Sequence, residues 1–361
     1  MKTVAIHYFT GTGNTAHSVK QIAEQLNKAG LDSADETLGY KVTVQQVKKD
    51  VKPLTDTFDY HIFAFPVLSW APPVIMKRYM RQMPVSKGTK TAVLAVNGSI
   101  FHDGKLVKGY TGQALEQAES ILRHKRYDVF LTANASFPDN WTQATNPCSK
   151  EDSVAIFPLG DAEVRQFTDD FIRERRSLYR CGWFNRLWSY IVAFLFGLIG
   201  RRALGKLYIA DENCTGCGLC VKQCPVRTIR MDNHKPKGRP YWGTKCEDCN
   251  RCINICPERS IQVSVPLLII LFGINIGLTI YAAKAIFLYT PLWLHIGRIP
   301  LFGLELLLKV IATLILLWVT FVPVAAFFQM LLRIPGARRF FSRSYTQKFR
   351  RYKAETNKIN D

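Results

Sequence analysis

The chain has 361 residues, 48% of them hydrophobic, and 48 Lys and Arg against 28 Asp and Glu, for a net charge of +20. This length leaves room for two or three domains. Residues 1–165 carry 19 basic and 16 acidic side chains, 166–263 carry 17 and 9, 264–332 carry 3 and 1, and 333–361 carry 9 and 2. The positive excess therefore surrounds the apolar stretches, and no basic motif interleaved with aromatics is present. That pattern fits an anionic membrane surface and excludes a nucleic acid.

Strand and helix patterns alternate from the N-terminus to position 165. Strands are predicted at 3–9 ("TVAIHYF"), 41–47 ("KVTVQQV"), 60–65 ("YHIFAF"), 91–96 ("TAVLAV", ended by Asn97-Gly98) and 127–135 ("YDVFLTANA"). Helical spacing occupies 16–28, 73–82, 111–124 and 161–177, the first with Val19, Ile22, Ala23 and Leu26 on one face. Five strands separated by helices imply a doubly wound parallel α/β sheet with right-handed crossovers over residues 1–177. Residues 178–207 form a linker around "LWSYIVAFLFGLI" (187–199). Thirteen helical residues span about 20 Å, short of a hydrocarbon core of about 30 Å. The segment reads as an interfacial helix, with Trp183, Trp188 and Tyr190 suited to headgroups, or else as a helix between domains.

Residues 265–289 and 301–332 are each long and apolar enough for a membrane span. The turn between them holds Arg298 and His295, and the segment after them is basic. By the positive-inside rule this is a two-helix transmembrane hairpin over 264–332 in the cytoplasmic membrane. Both termini, including the basic tail 333–361, then lie in the cytoplasm. Glu305 and Lys309, at i and i+4 in the second stretch, read as a neutralising pair or as part of a proton or quinone site.

The chain starts without a secretory signal pattern, so its clustered cysteines read as metal ligands rather than disulfides. Eight of ten lie in "CTGCGLCVKQCP" (214–225) and "CEDCNRCINICP" (246–257), two copies of C-x2-C-x2-C-x3-C-P that form an internal repeat. Three thiolates at i, i+3 and i+6 wrap one cubane, and the fourth Cys of such a run ligates the other cluster. Crossed ligation pairs Cys214, Cys217 and Cys220 with Cys256, and Cys246, Cys249 and Cys252 with Cys224. A zinc site would use pairs of C-x2-C and leave the third Cys of each run unexplained. The segment 208–263 closely resembles bacterial two-cluster ferredoxins, which implies a small α+β domain holding two [4Fe–4S] clusters.

"TGTGNTA" (10–16) fits the G-x-G-x-x-A turn of dinucleotide sites, and Asp32, Asp35 and Glu36 follow at about the expected distance. Yet Thr10, Thr12 and Thr15 set three hydroxyls among the N–H groups of Gly11, Gly13 and Asn14 at a helix start. That suits a terminal phosphate monoester better than a pyrophosphate. This is the phosphate loop of flavodoxins, and residues 1–165 resemble that family. The resemblance implies FMN. It places the ring at Pro66, Val67, Ser69 and Trp70 after the third strand, and at Asn97 and Gly98 after the fourth. The segment 134–141 edges the site, and Tyr110 is a lid candidate. Neither ring loop is rich in acid, only Asp103 being near, so the flavin is expected to be less reducing than a typical flavodoxin's. No NAD(P)H site is evident.

The order flavodoxin-like domain, linker, two-cluster ferredoxin resembles the flavodoxin–ferredoxin fusions of anaerobic bacteria and archaea; the anchor is an extension. The resemblance implies an electron-transfer protein relaying electrons between FMN and two [4Fe–4S] clusters to redox partner proteins. Two rivals remain: an FMN-dependent reductase of a quinone or other lipid-phase substrate, and an electron-input subunit of a larger membrane complex.

Overall fold

The computed structural model describes residues 1–29, 39–54, 57–102, 104–232, 238–289 and 334–352, with scattered positions between 315 and 332. The acidic cluster at 32–36, Asp103, the turn with His295 and Arg298, Glu305 and Lys309, and most of the second expected span lie outside the described residues.

Strands β1 (Lys2–Tyr8), β2 (Tyr40–Gln46), β3 (Tyr60–Pro66), β4 (Lys90–His102) and β6 (Asp128–Pro138) pair in parallel in the order β2-β1-β3-β4-β6. Counting only parallel strands, this is the 2-1-3-4-5 order of flavodoxin-like folds, with its switch point between β1 and β3. β4 does not stop at Asn97-Gly98 but runs on to His102, where β5 (Lys105–Val107) folds back antiparallel. The extra length of β4 and β6 carries their pairing past the end of β3, from Val96 to Ser99.

Side-chain alternation divides the core. Val4, Ile6, Ile62, Ala64 and Leu94 face helices α1 (Asn14–Ala29) and α4 (Lys150–Ile172). Phe63, Phe65, Val93 and Ala95 face α2 (Val74–Gln82) and α3 (Ala114–His124). Phe63 and Phe65 are fully buried; truncating either to Ala costs about 3–5 kcal/mol at such sites. Helix α4 starts at Lys150, well before the helix expected at 161. Ser149 caps it by accepting from Asp152 N at 3.0 Å. Pro158 inside α4 hides that start from a sequence reading.

The linker helix is longer than residues 187–199. α5 (Trp183–Leu195), a π-helical turn (Phe196–Gly200) and α6 (Arg201–Lys206) make one rod from Trp183 to Lys206. Among the described residues, this is the one helix long and apolar enough to cross a membrane. Its inner stripe nonetheless packs on protein: Ser189, Ala193, Arg201 and Ala203 are buried.

The ferredoxin-like segment contains two ribbons, β7 (Tyr208–Ala210) with β10 (Ile261–Val263), and β8 (Ile229–Met231) with β9 (Pro240–Trp242). The short helices α7 (Leu219–Lys222) and α8 (Arg251–Ile255) each carry the third cysteine of a run. The segment docks on the sheet through Glu247, whose carboxylate accepts from Val74 N at 2.7 Å and Ile75 N at 3.1 Å, capping α2 from outside.

Helix α9 (Val265–Tyr289) leaves the segment where the first span is expected. The sequence implies a basic tail beyond the hairpin, but residues 334–352 fold back. They include α10 (Pro335–Phe341) and reach both domains: Thr346 Oγ1 donates to Gln262 Oε1 at 2.9 Å, and Tyr352 OH donates to Asn14 Oδ1 at 2.6 Å.

One polar chain crosses the sheet interior. His61 Nδ1–H donates to His7 Nε2 at 2.9 Å, His7 Nδ1–H donates to Tyr79 OH at 2.8 Å, and Tyr79 OH donates to Gln45; this proton order satisfies every link. Burial holds His7 down to about 3 and His61 to about 4. With folded values below the unfolded one, the stabilisation is complete above about pH 6.5 and is lost as pH falls towards those values. Urea midpoints, followed by far-UV circular dichroism under nitrogen, are expected to record a loss on the order of 3 kcal/mol from His7 alone between pH 7 and pH 4. The double variant His7→Asn/His61→Asn should be less stable at pH 7 and much flatter in pH.

Candidate functional site

A cavity of about 390 Å³ opens at the carboxyl ends of β1, β3 and β4, within the range of cofactor pockets. Thr10, Gly11, Thr12, Asn14, Thr15, Pro66, Val67, Ser69, Trp70, Asn97 and Gly98 all line it. Of the residues expected from the sequence only Gly13 does not; it turns the chain at φ 119°, where a side chain would be strained, and sends its N–H to Thr10 Oγ1 at 3.2 Å. Asn14 opens α1, so the unpaired N–H groups of the first helical turn face the Thr-rich loop. The Asn14 side chain is already committed, donating to Pro138 O at 3.1 Å and accepting from Tyr352.

After β3 the chain makes a tight turn centred on Ser69 and Trp70, closed by reciprocal bonds between Leu68 and Ala71 at 3.0 and 3.1 Å. Both turn residues have left-handed φ, 48° and 59°. Such turns favour Asn-Gly. Holding a Trp there costs about 1–3 kcal/mol and is found where a side chain must be aimed. Tyr110 stands edge-on to the Trp70 ring at 6.5 Å and contacts Cys181 Sγ at 2.7 Å through its hydroxyl. Asn97 Nδ2 donates to Gly109 O at 2.6 Å, whereas Asn97 Oδ1 is buried with no partner. A buried acceptor without a donor is costly, and a ring N–H of an isoalloxazine would satisfy it. The hydroxyl loop, the aimed Trp and this orphan acceptor fit a flavin bearing a phosphate.

Residues from outside the sheet domain complete the wall. Val192 and Phe196 come from the α5 rod, and Asp248, Cys249 and Asn250 from the second cysteine run; Asp139, Asn140 and Trp141 follow β6. Of the 134–141 edge expected from the sequence, only these last three residues line the cavity. Those from the rod and the cysteine run depend on how domains pack, and no local motif marks them. Two carboxyl groups that the redox expectation did not count, Asp139 and Asp248, enter the cavity wall from outside both ring loops. Burial pushes the Asp248 carboxyl well above the usual carboxylate range, with Tyr208 OH 3.4 Å away.

Two smaller cavities each gather four cysteines. One is lined by Cys214, Cys217, Cys220 and Cys256, the other by Cys224, Cys246, Cys249 and Cys252; these are the two sets of the crossed assignment. The repeat is also conformational. Gly216 and Gly218 adopt φ of 74° and 72°, and Asp248 and Asn250, at the matching places of the second run, adopt 57° and 56°. Asp and Asn are the non-glycine residues that best tolerate this region, so the second run keeps the turn without glycine. The donor set suits clusters. Burial pushes the Cys220 and Cys249 thiols up to about 12, and Cys246 and Cys252 well above the usual thiol range. Such thiols become thiolate ligands only beside strong positive charge, which iron supplies. Trp242 Nε1 and Asp248 N point at Cys252 Sγ and Cys246 Sγ, each at 3.4 Å, and Ser260 Oγ lies 3.2 Å from Cys256 Sγ. Among the described residues no three His, Cys, Asp or Glu side chains converge as ligands of a single metal ion.

The two kinds of site touch. A β-carbon at Gly11 would overlap the Cys249 carbonyl oxygen, so the Thr-rich loop requires glycine there for close approach. Arg251 fixes the contact, donating to Gly11 O at 3.2 Å and to Gln223 Oε1 at 2.7 Å. Cys217, at the opposite set, is exposed.

Residues 213–260 match the family model described as a 4Fe-4S dicluster domain. No curated protein matches the chain. Solved structures with similarity include an azoreductase from Bacillus anthracis (11% identity, 47% of this chain and 100% of that one, TM-score 0.33). A short-chain flavodoxin associated with a non-canonical PDU bacterial microcompartment is 12% identical over 48% and 98%, with TM-score 0.31. The flavodoxin of Streptococcus pneumoniae TIGR4 is 15% identical over 45% and 98%, with TM-score 0.28. Strand order, rather than these low scores, assigns the sheet. The chain joins a flavodoxin-like domain to a 4Fe-4S ferredoxin segment in one molecule, and its role is in electron transfer or flavin-dependent redox chemistry.

Proposed function

We propose that the protein is a membrane-anchored electron carrier in which FMN occupies the 390 Å³ cavity and two [4Fe–4S] clusters occupy the cysteine sets. The observation that carries this reading is the shared wall: Cys249, a ligand of the second set, lines the cavity beside Gly11, Asp248 and Asn250. Flavin supplies exchange between one- and two-electron chemistry, and the clusters supply single-electron steps.

The chain's own residues then have distinct tasks. Thr10, Thr12, Thr15 and the α1 N-terminus bind the phosphate. Trp70 and Tyr110 cover the ring, and Asn97 Oδ1 accepts from its edge. The set around Cys249 is the one next to the flavin, and the set containing exposed Cys217 faces a redox partner protein. The apolar α9 and the second apolar stretch hold the molecule in the cytoplasmic membrane with both termini in the cytoplasm. The α5 rod, which walls the cavity and turns an apolar face outward, favours a second reading in which a lipid-phase substrate is reduced at the flavin. An input subunit of a larger complex would also use exposed Cys217.

Anaerobic purification should yield one FMN and about eight iron and eight sulfide per chain; zinc in place of iron, or no flavin, would end this reading. Thr12→Val should weaken FMN by about 10- to 100-fold, as expected for one hydrogen bond to a charged group of about 1.5–3 kcal/mol. Riboflavin affinity and iron content should not move; a fluorescence titration of the flavin-free protein measures both affinities.

A further inference from the structure

Five large residues, Phe184, Leu187, Ile191, Phe194 and Leu198, recur on α5 and its π turn at spacings of three and four. All five are exposed, from 38% to 65%. They form a stripe opposite buried Ser189 and Ala193. Trp183, Trp188 and Tyr190 flank the stripe and are also exposed. A 24-residue apolar rod would ordinarily be read as a span. This one cannot be ringed by lipid, because its inner side is closed along its length. Gly112 packs against Ser189, Val192 and Phe196 line the flavin cavity, and Arg201 Nη1 donates to Cys246 O at 2.8 Å. The rod therefore lies along both domains with one apolar face outward.

Beside it, the β4–β5 hairpin exposes Ile100, Leu106 and Val107 next to exposed Lys105 and Lys108. The chain from that hairpin passes Gly109 and Tyr110, both in the cavity wall, to Gly112 against the rod. Tyr110 and Trp141 line the cavity and are 40% and 44% exposed, so they mark its mouth. An exposed apolar strip thus borders the mouth on two sides, larger than isolated surface hydrophobics explain.

We propose that this face sits in the headgroup–acyl boundary of the bilayer, so that the flavin is reached from the lipid phase and its oxidant is a lipid-soluble quinone. A bilayer, rather than a protein, is the occupant for three reasons. The exposed set is rich in Trp, Tyr and Phe, the residues of membrane interfaces. The chain is strongly basic outside its sheet domain, which complements anionic lipid. The apolar α9 leaves the same ferredoxin segment that the rod enters. A planar quinone suits a mouth rimmed by Tyr110 and Trp141 and walled by Val192 and Phe196. In the step, the quinone gains two electrons and two protons and becomes a quinol, and the reduced flavin loses the same two electrons and two protons. A low-potential one-electron protein donor refills the site through the cysteine clusters. This inference rests on flavin occupying the cavity.

Two measurements test it on the full chain in phosphatidylcholine/phosphatidylglycerol vesicles. The first compares wild type with Trp183→Phe/Trp188→Phe in the presence of shallow doxyl-labelled lipid. The fluorescence lost in the variant should be quenched at least twofold in the wild type; if it is unquenched, the rod faces water or protein and the proposal fails. The second uses Phe184→Glu/Leu187→Glu/Ile191→Glu, all surface positions. With viologen as donor, this variant should keep flavin, iron and reduction of a tail-less naphthoquinone. It should lose at least tenfold on a naphthoquinone with an isoprenoid tail embedded in the vesicles. Equal loss on both quinones, or none on either, contradicts access from the lipid phase. A wild type that holds FMN and iron but reduces no quinone overturns the substrate while leaving the carrier reading intact. A wild type without flavin overturns both.

Discussion

At position 11 any side chain would meet the carbonyl of Cys249, so the phosphate loop and the second cysteine run meet backbone to backbone. Much of the architecture follows from that contact. Arg251 ties the two backbones together, and Glu247, just before Cys249, caps α2 beneath the flavin loops. Thr142 Oγ1 donates to Asn254 Oδ1 at 2.9 Å, and Gln143 N donates to Asn250 Oδ1 at 3.1 Å, sealing the other side of the junction. These bonds are buried and polar. Buried polar contacts cost more when misaligned than they contribute when satisfied, so they set one docking geometry rather than a range.

A fixed geometry matters for a chain that moves electrons between two kinds of centre. Two domains on a flexible tether would sample many separations, whereas here Cys249 of the second cysteine run is part of the wall of the sheet domain's cavity. The α5 rod and the returning segment 334–352 both act as clamps. The rod contributes Val192 and Phe196 to the flavin side and Arg201 to the Cys246 loop. Tyr352 reaches the side chain of Asn14, the first residue of α1.

Local chemistry was legible in the sequence wherever one short stretch contained all of it. The five parallel strands, the hydroxyl-bearing loop at 10–15 and the two cysteine runs each announce themselves by period or spacing. What remained hidden was produced by contacts distant in sequence. Gly11 reads as half of a phosphate motif, but its close neighbour Cys249 belongs to the ferredoxin segment. Asp248 and Asn250 read as spacers between cysteines, yet they supply the left-handed turns and part of the flavin wall. Pro158 masked the first half of α4, and Asn97-Gly98 mimicked a strand end inside β4. The apolar run at 187–199 gave a helix too short to span; its continuation through Gly200 and Arg201 became visible only because Arg201 finds a buried partner.

In the proposed arrangement the flavin and the Cys224/Cys246/Cys249/Cys252 centre are neighbours across a shared wall. Pulsed electron paramagnetic resonance of the protein reduced far enough to place one electron on each tests it directly. Direct adjacency predicts that the flavin radical relaxes fast and shows dipolar broadening, and that both effects vanish in Cys249→Ser protein that retains FMN. A flavin radical with the slow relaxation of an isolated flavin in the intact protein would contradict the account.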